Sequence, residues 1–359
     1  MHTLLGMPVY DSLQAQKEEV FLSLIKNLTN HHFDCCDRYR RVLKSQQLAS
    51  PQEIQNIAHL DDVPFVSVNL FKHFTLKSVA ESDVVKLLYS SGTTSQQKSR
   101  VYLDKDTAQL QSKVLMRIMQ SFVGKQRLPM LIADMPLSEG NTTDDGYTAR
   151  GAGIQGLAFL GHHHTYLLDR NMQLNLDGLR AFAATYGQQP VLLFGFTWVL
   201  WSKVILSLEE KQVSFSFPKG VLLHSGGWKK LRSVAVDNPT FNSHVINRLG
   251  TQKIHNFYGM AEQVGSVYVG CELGYLHCPS TADIIVRHVQ TLQPAELGEP
   301  GIIQVLSLLP LSYPGHSLLT EDLGRIIGVD DCRCGRRGKY FEVLGRLPKS
   351  ELRGCSDTL

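Results

Sequence analysis

Little in this sequence is extreme, and its absences narrow the field first. The formal net charge is only +3 over 359 residues. Lys and Arg are scattered apart from a short group at Arg333, Arg336 and Arg337. The basic excess that nucleic-acid binders set against phosphate backbones is missing, so no nucleic-acid partner is expected. No apolar run approaches the roughly 20 residues of a bilayer-spanning helix; the best, 191–200, reads as buried core, and no membrane span is expected. The first residues lack a basic stretch followed by a long apolar one, so no leader is expected and the chain reads as cytoplasmic. Cysteine is sparse, odd in number at 7 and mostly late, which favours reduced thiols or metal ligands over disulfides. Internal repeats and low-complexity tracts are absent too, as is the GxxxxGK[ST] phosphate-binding pattern.

What is present is a globular pattern with ample core material, 43% hydrophobic against 19% charged residues. Val20, Phe21, Leu24, Ile25 and Leu28 recur at helical spacing, with Asp11 or Ser12 as the cap. A second helix carries Phe33, Cys36, Tyr39 and Leu43, and a polar connector follows over 50–62. From Val84 onward strands and helices alternate. Strands are expected at 84–89, 101–103, 130–133, 191–194, 221–223, 254–258 and 302–306. Asp106 is the expected cap of a helix with Val114, Leu115, Ile118, Met119 and Phe122 on one face. This alternation predicts an α/β fold with mixed or parallel sheets flanked by helices. The Gly- and Pro-punctuated last third predicts a smaller β-rich portion, and 347–359 reads as a tail. His162, His163 and His164 read as a polar turn, and the apolar run 191–201 as core that could also line an acyl pocket.

The most informative segment is the loop Tyr89-Ser-Ser-Gly-Thr-Thr-Ser-Gln-Gln-Lys-Ser99. It follows a strand, and Ser90, Ser91, Thr93, Thr94 and Ser95 surround Gly92, whose lack of a side chain lets amides face an anion. Lys98 adds a point charge. On its residues alone the loop reads equally as a solvated Ser/Thr turn. Further motifs are Ser225-Gly-Gly227, which also reads as a plain strand-end turn, Asn256-Phe-Tyr-Gly-Met-Ala-Glu262, Leu319-Thr-Glu-Asp-Leu-Gly324 and Gly345-Arg346. Cys332-Arg-Cys334-Gly335 is a knuckle that can grip a metal, and Cys271 with His277 would complete a Cys3His zinc set. Buried free thiols are the alternative, and Cys278 is a spare.

In this order the motifs resemble those of the adenylate-forming superfamily. The resemblance implies that the loop at Ser90, Ser91, Gly92, Thr93, Thr94 and Lys98 binds the phosphates of ATP. It further implies that Gly226 and Gly227 contact adenine, that Tyr258 stacks on it and that Gly259 leaves room beside it. Glu262 would bind Mg2+, Asp322 the ribose hydroxyls, and Arg346 ribose or phosphate. The departures are Ser95, Gln96 and Gln97 where the superfamily has Gly-x-Pro, Ala261 for Thr, and Glu321 for Gly. A Cys–His–Cys-x-Cys combination similar to the zinc set occurs in the phenylacetate-CoA ligase branch.

The layout from Pro64-Phe-Val-Ser-Val-Asn-Leu-Phe-Lys72 through His224-Ser-Gly-Gly-Trp-Lys-Lys230 to Cys355 resembles the acyl-protein synthetase family of bacterial bioluminescence. This implies a helical segment over 1–63, an adenylate-forming catalytic domain over 64–346 and a tail over 347–359, without the usual C-terminal cap domain. It implies a ligase that activates a long-chain fatty acid as acyl-AMP and then transfers the acyl group to the thiol of Cys355. The implied catalytic set is Cys355, Lys98 and Glu262; the implied partner is an acyl reductase or a carrier protein. Two other readings stand beside it. One is an acyl- or aryl-CoA ligase; the other is an inactive nucleotide-binding subunit that regulates a reductase.

Overall fold

The N-terminal apolar spacing builds the helix Gln14–Cys35, which buries Phe21, Ile25 and Leu28 on one face. Its cap is not Asp11 or Ser12. Leu13 stands at the capping position, and the Gln14 amide donates instead to both carboxylate oxygens of Asp330, at 3.1 and 2.9 Å. A tertiary carboxylate thus satisfies a helix amide that the local sequence leaves open. The chain turns at Cys36 into the helix Asp37–Ser45. The stretch read as a polar connector holds a short helix, Pro51–Gln55, with Ser50 and Glu53 forming a capping box around Pro51.

The computed structural model describes residues 5–90, 98–136, 142–143, 146–147, 149–227 and 235–347. It divides into two units, 1–118 with 259–268 and 275–359, and 119–258 with 269–274. The first unit is the β-rich one. Its antiparallel ladder runs Ala282–Arg287, Gly301–Ser307, Ser317–Val329, Lys339–Arg346 and Leu276–His277, with Val66–Ser67 added in parallel to the third strand. Ala282–Arg287 and Gly301–Ser307 are buried throughout, which their near-continuous apolar runs require. A bulge interrupts the pairing of Ser317–Val329 with Lys339–Arg346 at Gly324. A Cβ there would lie 2.6 Å from Glu342 O and 2.6 Å from Ile303 Cδ1, so only glycine lets the strands approach. The hairpin Val84–Tyr89 with Arg100–Asp104 leads into the helix Lys105–Val123. Asp104, not Asp106, caps that helix, accepting from the Thr107 amide at 2.8 Å.

Polar groups inside this unit join the N-terminal helix to the ladder. Asp283, fully buried, lies 3.0 Å from Lys17 Nζ and 3.3 Å from Lys339 Nζ, and Gln14 Nε2 donates to it at 2.8 Å. Burial alone would raise its pKa; the two ammonium groups outweigh that and pull it down to about 2. Higher on the same helix, Thr29 and Tyr39 of the next helix meet His316 Nε2 at 3.0 and 3.1 Å, and His32 stacks on His316. Burial drives the His316 pKa down to about 3 and His32 well below its usual range, so both are neutral core groups.

The second unit is a five-stranded parallel sheet in the order Gly161–Tyr166, Leu128–Ala133, Val191–Phe196, Gly220–Ser225, Lys253–Tyr258. Its crossovers include the helices Leu176–Tyr186 and Asn238–Leu249, as parallel pairing demands. Leu131, Leu193 and Leu222 meet Leu179, Phe182, Phe217, Phe241 and Val245 in one core. The run 191–201 is therefore mostly core, with Phe196 and Trp198 only partly buried. His162, His163 and His164 are not a turn; they belong to Gly161–Tyr166, which among the described residues pairs only with Leu128–Ala133. An edge strand leaves one side to solvent, so a polar run is tolerated there. No helix among the described residues is long and apolar enough to cross a membrane.

Two outcomes follow for stability. Lys17→Met should cost about 3 kcal/mol in urea unfolding at pH 7, because it removes one partner of a buried charge. His316 binds its proton less readily folded than unfolded, so the unfolded chain gains protons first as pH falls. Its contribution is complete above pH 6.5 and is lost progressively toward about 3, whereas that of Asp283 holds down to its ordinary value of 3.8 and is lost toward about 2. Urea midpoints should therefore begin to fall below pH 6.5, before any carboxylate of this cluster titrates.

Candidate active site

Parallel sheets leave crevices outside the carboxyl ends of their strands, and in the second unit the predicted adenine residues sit there. Gly220–Ser225 ends in Gly226 and Gly227, both exposed. Gly226 has φ +86°, a left-handed conformation that favours glycine. The neighbouring strand ends at Tyr258, half-buried, and Ser225 Oγ donates to Phe257 O at 2.8 Å to lock the two ends together. The sheet therefore brings Gly226, Gly227 and Tyr258 to one edge.

Three residues at that edge had no role assigned from sequence. His224 is buried below Gly226, with Nδ1 2.9 Å from Thr197 Oγ1, and Thr197 Oγ1 donates to Ser225 O at 3.2 Å. Burial, assisted by His255, lowers the His224 pKa to about 3, so it supports the turn as a neutral ring. Asp134 closes the strand Leu128–Ala133, almost fully buried, 2.9 Å from Arg150 Nε. An acidic residue straight after the apolar run 130–133 was the available signal for it.

The first unit carries the remaining described residues. Ser90 closes the base of the hydroxyl-rich loop. Its amide donates to Ser99 O at 3.1 Å, and its hydroxyl accepts from the Ser99 amide at 3.0 Å. Lys98 is exposed. Ser91, Gly92, Thr93, Thr94 and Ser95 lie outside the described residues. Glu262 is not a solvated surface carboxylate: it is buried in the short turn Ala261–Gln263, directly after Gly259 and Met260. Gln263 anchors that turn by donating to Gly315 O at 2.8 Å and Val305 O at 3.1 Å. Gly265, at φ +87°, passes so close to the helix Lys105–Val123 that a Cβ would lie 2.7 Å from Gln111 O.

Asp322 and Arg346, 24 residues apart in sequence, are cross-strand neighbours, with Arg346 Nε 3.4 Å from Asp322 Oδ1. The Asp322 amide donates to Thr320 Oγ1 at 3.1 Å, and Thr320 Oγ1 donates to Ile303 O at 2.7 Å. Glu321, where the superfamily has glycine, is occupied: Asn69 Nδ2 donates to its carboxylate at 2.8 Å.

His277, Cys332 and Cys334 converge at the end of the ladder, with ligand atoms within 4.8 Å of one another and Cys334 Sγ 3.4 Å from His277 Nε2. Gly335, at φ +86°, closes the knuckle, its amide donating to Cys332 O at 3.0 Å. The spare Cys278 follows His277 in sequence but belongs with Asp283, Lys17 and Lys339; burial and the Asp283 charge push its thiol up to about 12. It is an inert core thiol. Cys271 is buried in the segment 269–274. Cys355 lies outside the described residues.

A model of the family described as acyl-protein synthetase, LuxE, matches residues 5–359. The long-chain-fatty-acid–luciferin-component ligase of Aliivibrio fischeri is 20% identical over 95% of this chain and 88% of its own. That of Vibrio harveyi is 22% identical over 98% and 90%. Among solved structures, an open conformation of 2-hydroxyisobutyryl-CoA ligase in complex with 2-HIB-AMP and CoA superposes with a TM-score of 0.70. That match has 14% identity and covers 94% of this chain and 76% of the other, a likeness of fold.

The Arg346 side chain is 66% exposed, and an ion pair open to water on one side contributes little to folding. Asp322→Ala should therefore change the unfolding free energy by less than about 1 kcal/mol. A loss above about 3 kcal/mol, the range of a broken buried pair, would make Asp322 structural.

Proposed function

The chain belongs to the LuxE acyl-protein synthetase family and is an enzyme of the ligase class, and from that premise we propose that it activates a long-chain fatty acid with ATP and passes the acyl group to Cys355. The observation that carries the reading is the convergence of Asp322 and Arg346 across the ladder, a carboxylate that can accept from both ribose hydroxyls beside a cation. The adenine face is assigned to Gly226, Gly227 and Tyr258, and the triphosphate to the loop opened by Ser90 and followed by Lys98. The catalytic work is assigned to residues 64–346 and the acceptor to the segment 347–359.

The chemistry proceeds in two displacements. A carboxylate oxygen of the fatty acid attacks the α-phosphorus, an O–P bond forms, and the bond to pyrophosphate breaks. The hydroxyls and amides of the loop, with Lys98, stabilise the charge that gathers on the phosphates. Glu262 is the residue that would hold Mg2+, a hard cation that takes carboxylate and phosphate oxygens and would neutralise the departing pyrophosphate. The Cys355 thiolate then attacks the acyl carbon, the C–S bond forms, the C–O bond to AMP breaks, and AMP leaves. A thioester on a cysteine is a suitable donor to an acyl reductase or a carrier-protein thiol. The names of the two relatives support the fatty-acid assignment.

The knuckle is assigned to a structural Zn2+. Three sulfur donors and one imidazole form a common closed zinc set, and the sequence pattern supplies Cys271 as the donor to complete His277, Cys332 and Cys334. The metal would hold the end of the ladder and take no part in the reaction.

The purified chain should exchange labelled pyrophosphate into ATP only when a fatty acid is present. Labelled fatty acid should remain on the protein as an acid-stable, hydroxylamine-sensitive adduct. Cys355→Ser should keep the exchange and lose the adduct; a persistent adduct would move the acceptor elsewhere, and release of acyl-CoA instead would favour a CoA ligase. Metal analysis should find about one zinc per chain, falling in Cys334→Ser; a metal-free folded protein would remove the site.

A further inference from the structure

The stretch 64–72 and the strand Ser317–Val329 share a polar chain that the proposed reaction does not use. Val66 and Ser67 pair in parallel with Leu318 and Leu319, and the Val68 amide donates to Leu319 O at 3.0 Å. Beyond this pairing the connection continues through side chains. Lys72 Nζ donates to Asn69 Oδ1 at 2.6 Å, and Asn69 Nδ2 donates to Glu321 Oε1 at 2.8 Å. The main-chain carbonyl of Glu321 in turn accepts from the Leu347 amide at 2.9 Å. Glu321 is therefore held by both side chain and main chain, and the flanking residues Asp322 and Arg346 form the pair described above. Lys72, Asn69 and Glu321 are all half-buried, where a hydrogen bond to a charged group is stronger than on an open surface.

The location gives the chain a purpose. Successive strand residues point to opposite faces, so a slip by one position would turn Asp322 away from the face it presents. A bulge re-aims the side chains beside it, and the ladder has one between Leu323 and Gly324, immediately after Asp322. Glu321 lies immediately before it. Anchoring Glu321 through Asn69 to Lys72 fixes the strand on the side of the bulge where Asp322 stands.

We propose that Lys72, Asn69 and Glu321 are positioning residues, a hydrogen-bonded strut that holds Asp322 toward the ribose hydroxyls of the nucleotide. The inference rests on the assignment of Asp322 to ribose. Calorimetric titration of the full chain with ATP and with 2′-deoxy-ATP separates the two claims. The wild type should bind ATP about tenfold more tightly than 2′-deoxy-ATP, the order of one lost charge-assisted hydrogen bond. Asp322→Ala should abolish that preference. Asn69→Ala and Glu321→Gly should weaken ATP binding severalfold and leave 2′-deoxy-ATP nearly unchanged. Glu321→Gln, which still accepts from Asn69, should restore most of the preference, and Lys72→Met should show a smaller loss in the same direction. If Asp322→Ala loses the preference while Asn69→Ala, Glu321→Gly and Lys72→Met all keep it, the strut is wrong and the ribose assignment stands. If Asp322→Ala itself keeps the preference, the ribose assignment falls and the strut with it.

Discussion

One buried carboxylate determines where much of the first unit can sit. Asp283 is fully buried, so it must be met by charge, and the charges come from Lys17 on the N-terminal helix and Lys339 on the last long strand. Burying an unpaired carboxylate would cost several kcal/mol. The helix, the strand Ala282–Arg287 and the strand Lys339–Arg346 are thus held to one geometry. That last strand is anchored at Lys339 beside the buried charge and ends at Arg346 beside Asp322. The same element carries a structural constraint at one end and a candidate ligand contact at the other.

The buried polar groups fall into two kinds. Some are closed on themselves: the Asp283 cluster, and the His32–His316 stack with Thr29 and Tyr39, in which every named contact is internal. Such groups fix orientation and are expected to be silent in chemistry, as the depressed histidine pKa values require. Others are candidate ligand contacts at element ends: Gly226 and Tyr258 at strand termini, Ser90 at the base of its loop, Asp322 and Arg346 beside a bulge. Exposure separates the two kinds. In the Asp322–Arg346 pair the Arg346 side chain is 66% exposed, open enough that the pair's Coulomb energy does little for the fold.

Departures from the superfamily pattern gain physical meaning in this setting. Glu321 replaces a glycine, and the carboxylate it introduces is matched by Asn69, with Lys72 behind it. The segment 64–72, which stood out only as part of a family layout, therefore connects directly to the strand that bears Asp322. Cys278 shows the opposite outcome. It follows a candidate metal ligand in sequence, but strand alternation turns it toward Asp283 and Lys17, where burial keeps it a thiol.

Local pattern alone was enough for the main elements. The helical spacing of Phe21, Ile25 and Leu28, the strand Val84–Tyr89, and the apolar strands that make the parallel sheet were all legible, because side-chain period and burial are properties of a short window. The motif order also identified the family, whose model matches residues 5–359. Long-range partners were not legible. Asp330 caps the first helix in place of Asp11 or Ser12, and Asp104 displaces Asp106, because a cap depends on which oxygen lies near the free amide. The three histidines became an edge strand because a neighbouring strand offered pairing that their polarity did not suggest. Glu262 is buried, Glu321 is paired and Asp134 is joined to Arg150, facts that depend on residues far away in the chain. Sequence by itself determined the periodicities and the chemical types at the motif positions; only the tertiary structure decided which charges meet, since a Coulomb or hydrogen-bond partner is selected by distance in space and not by separation along the chain.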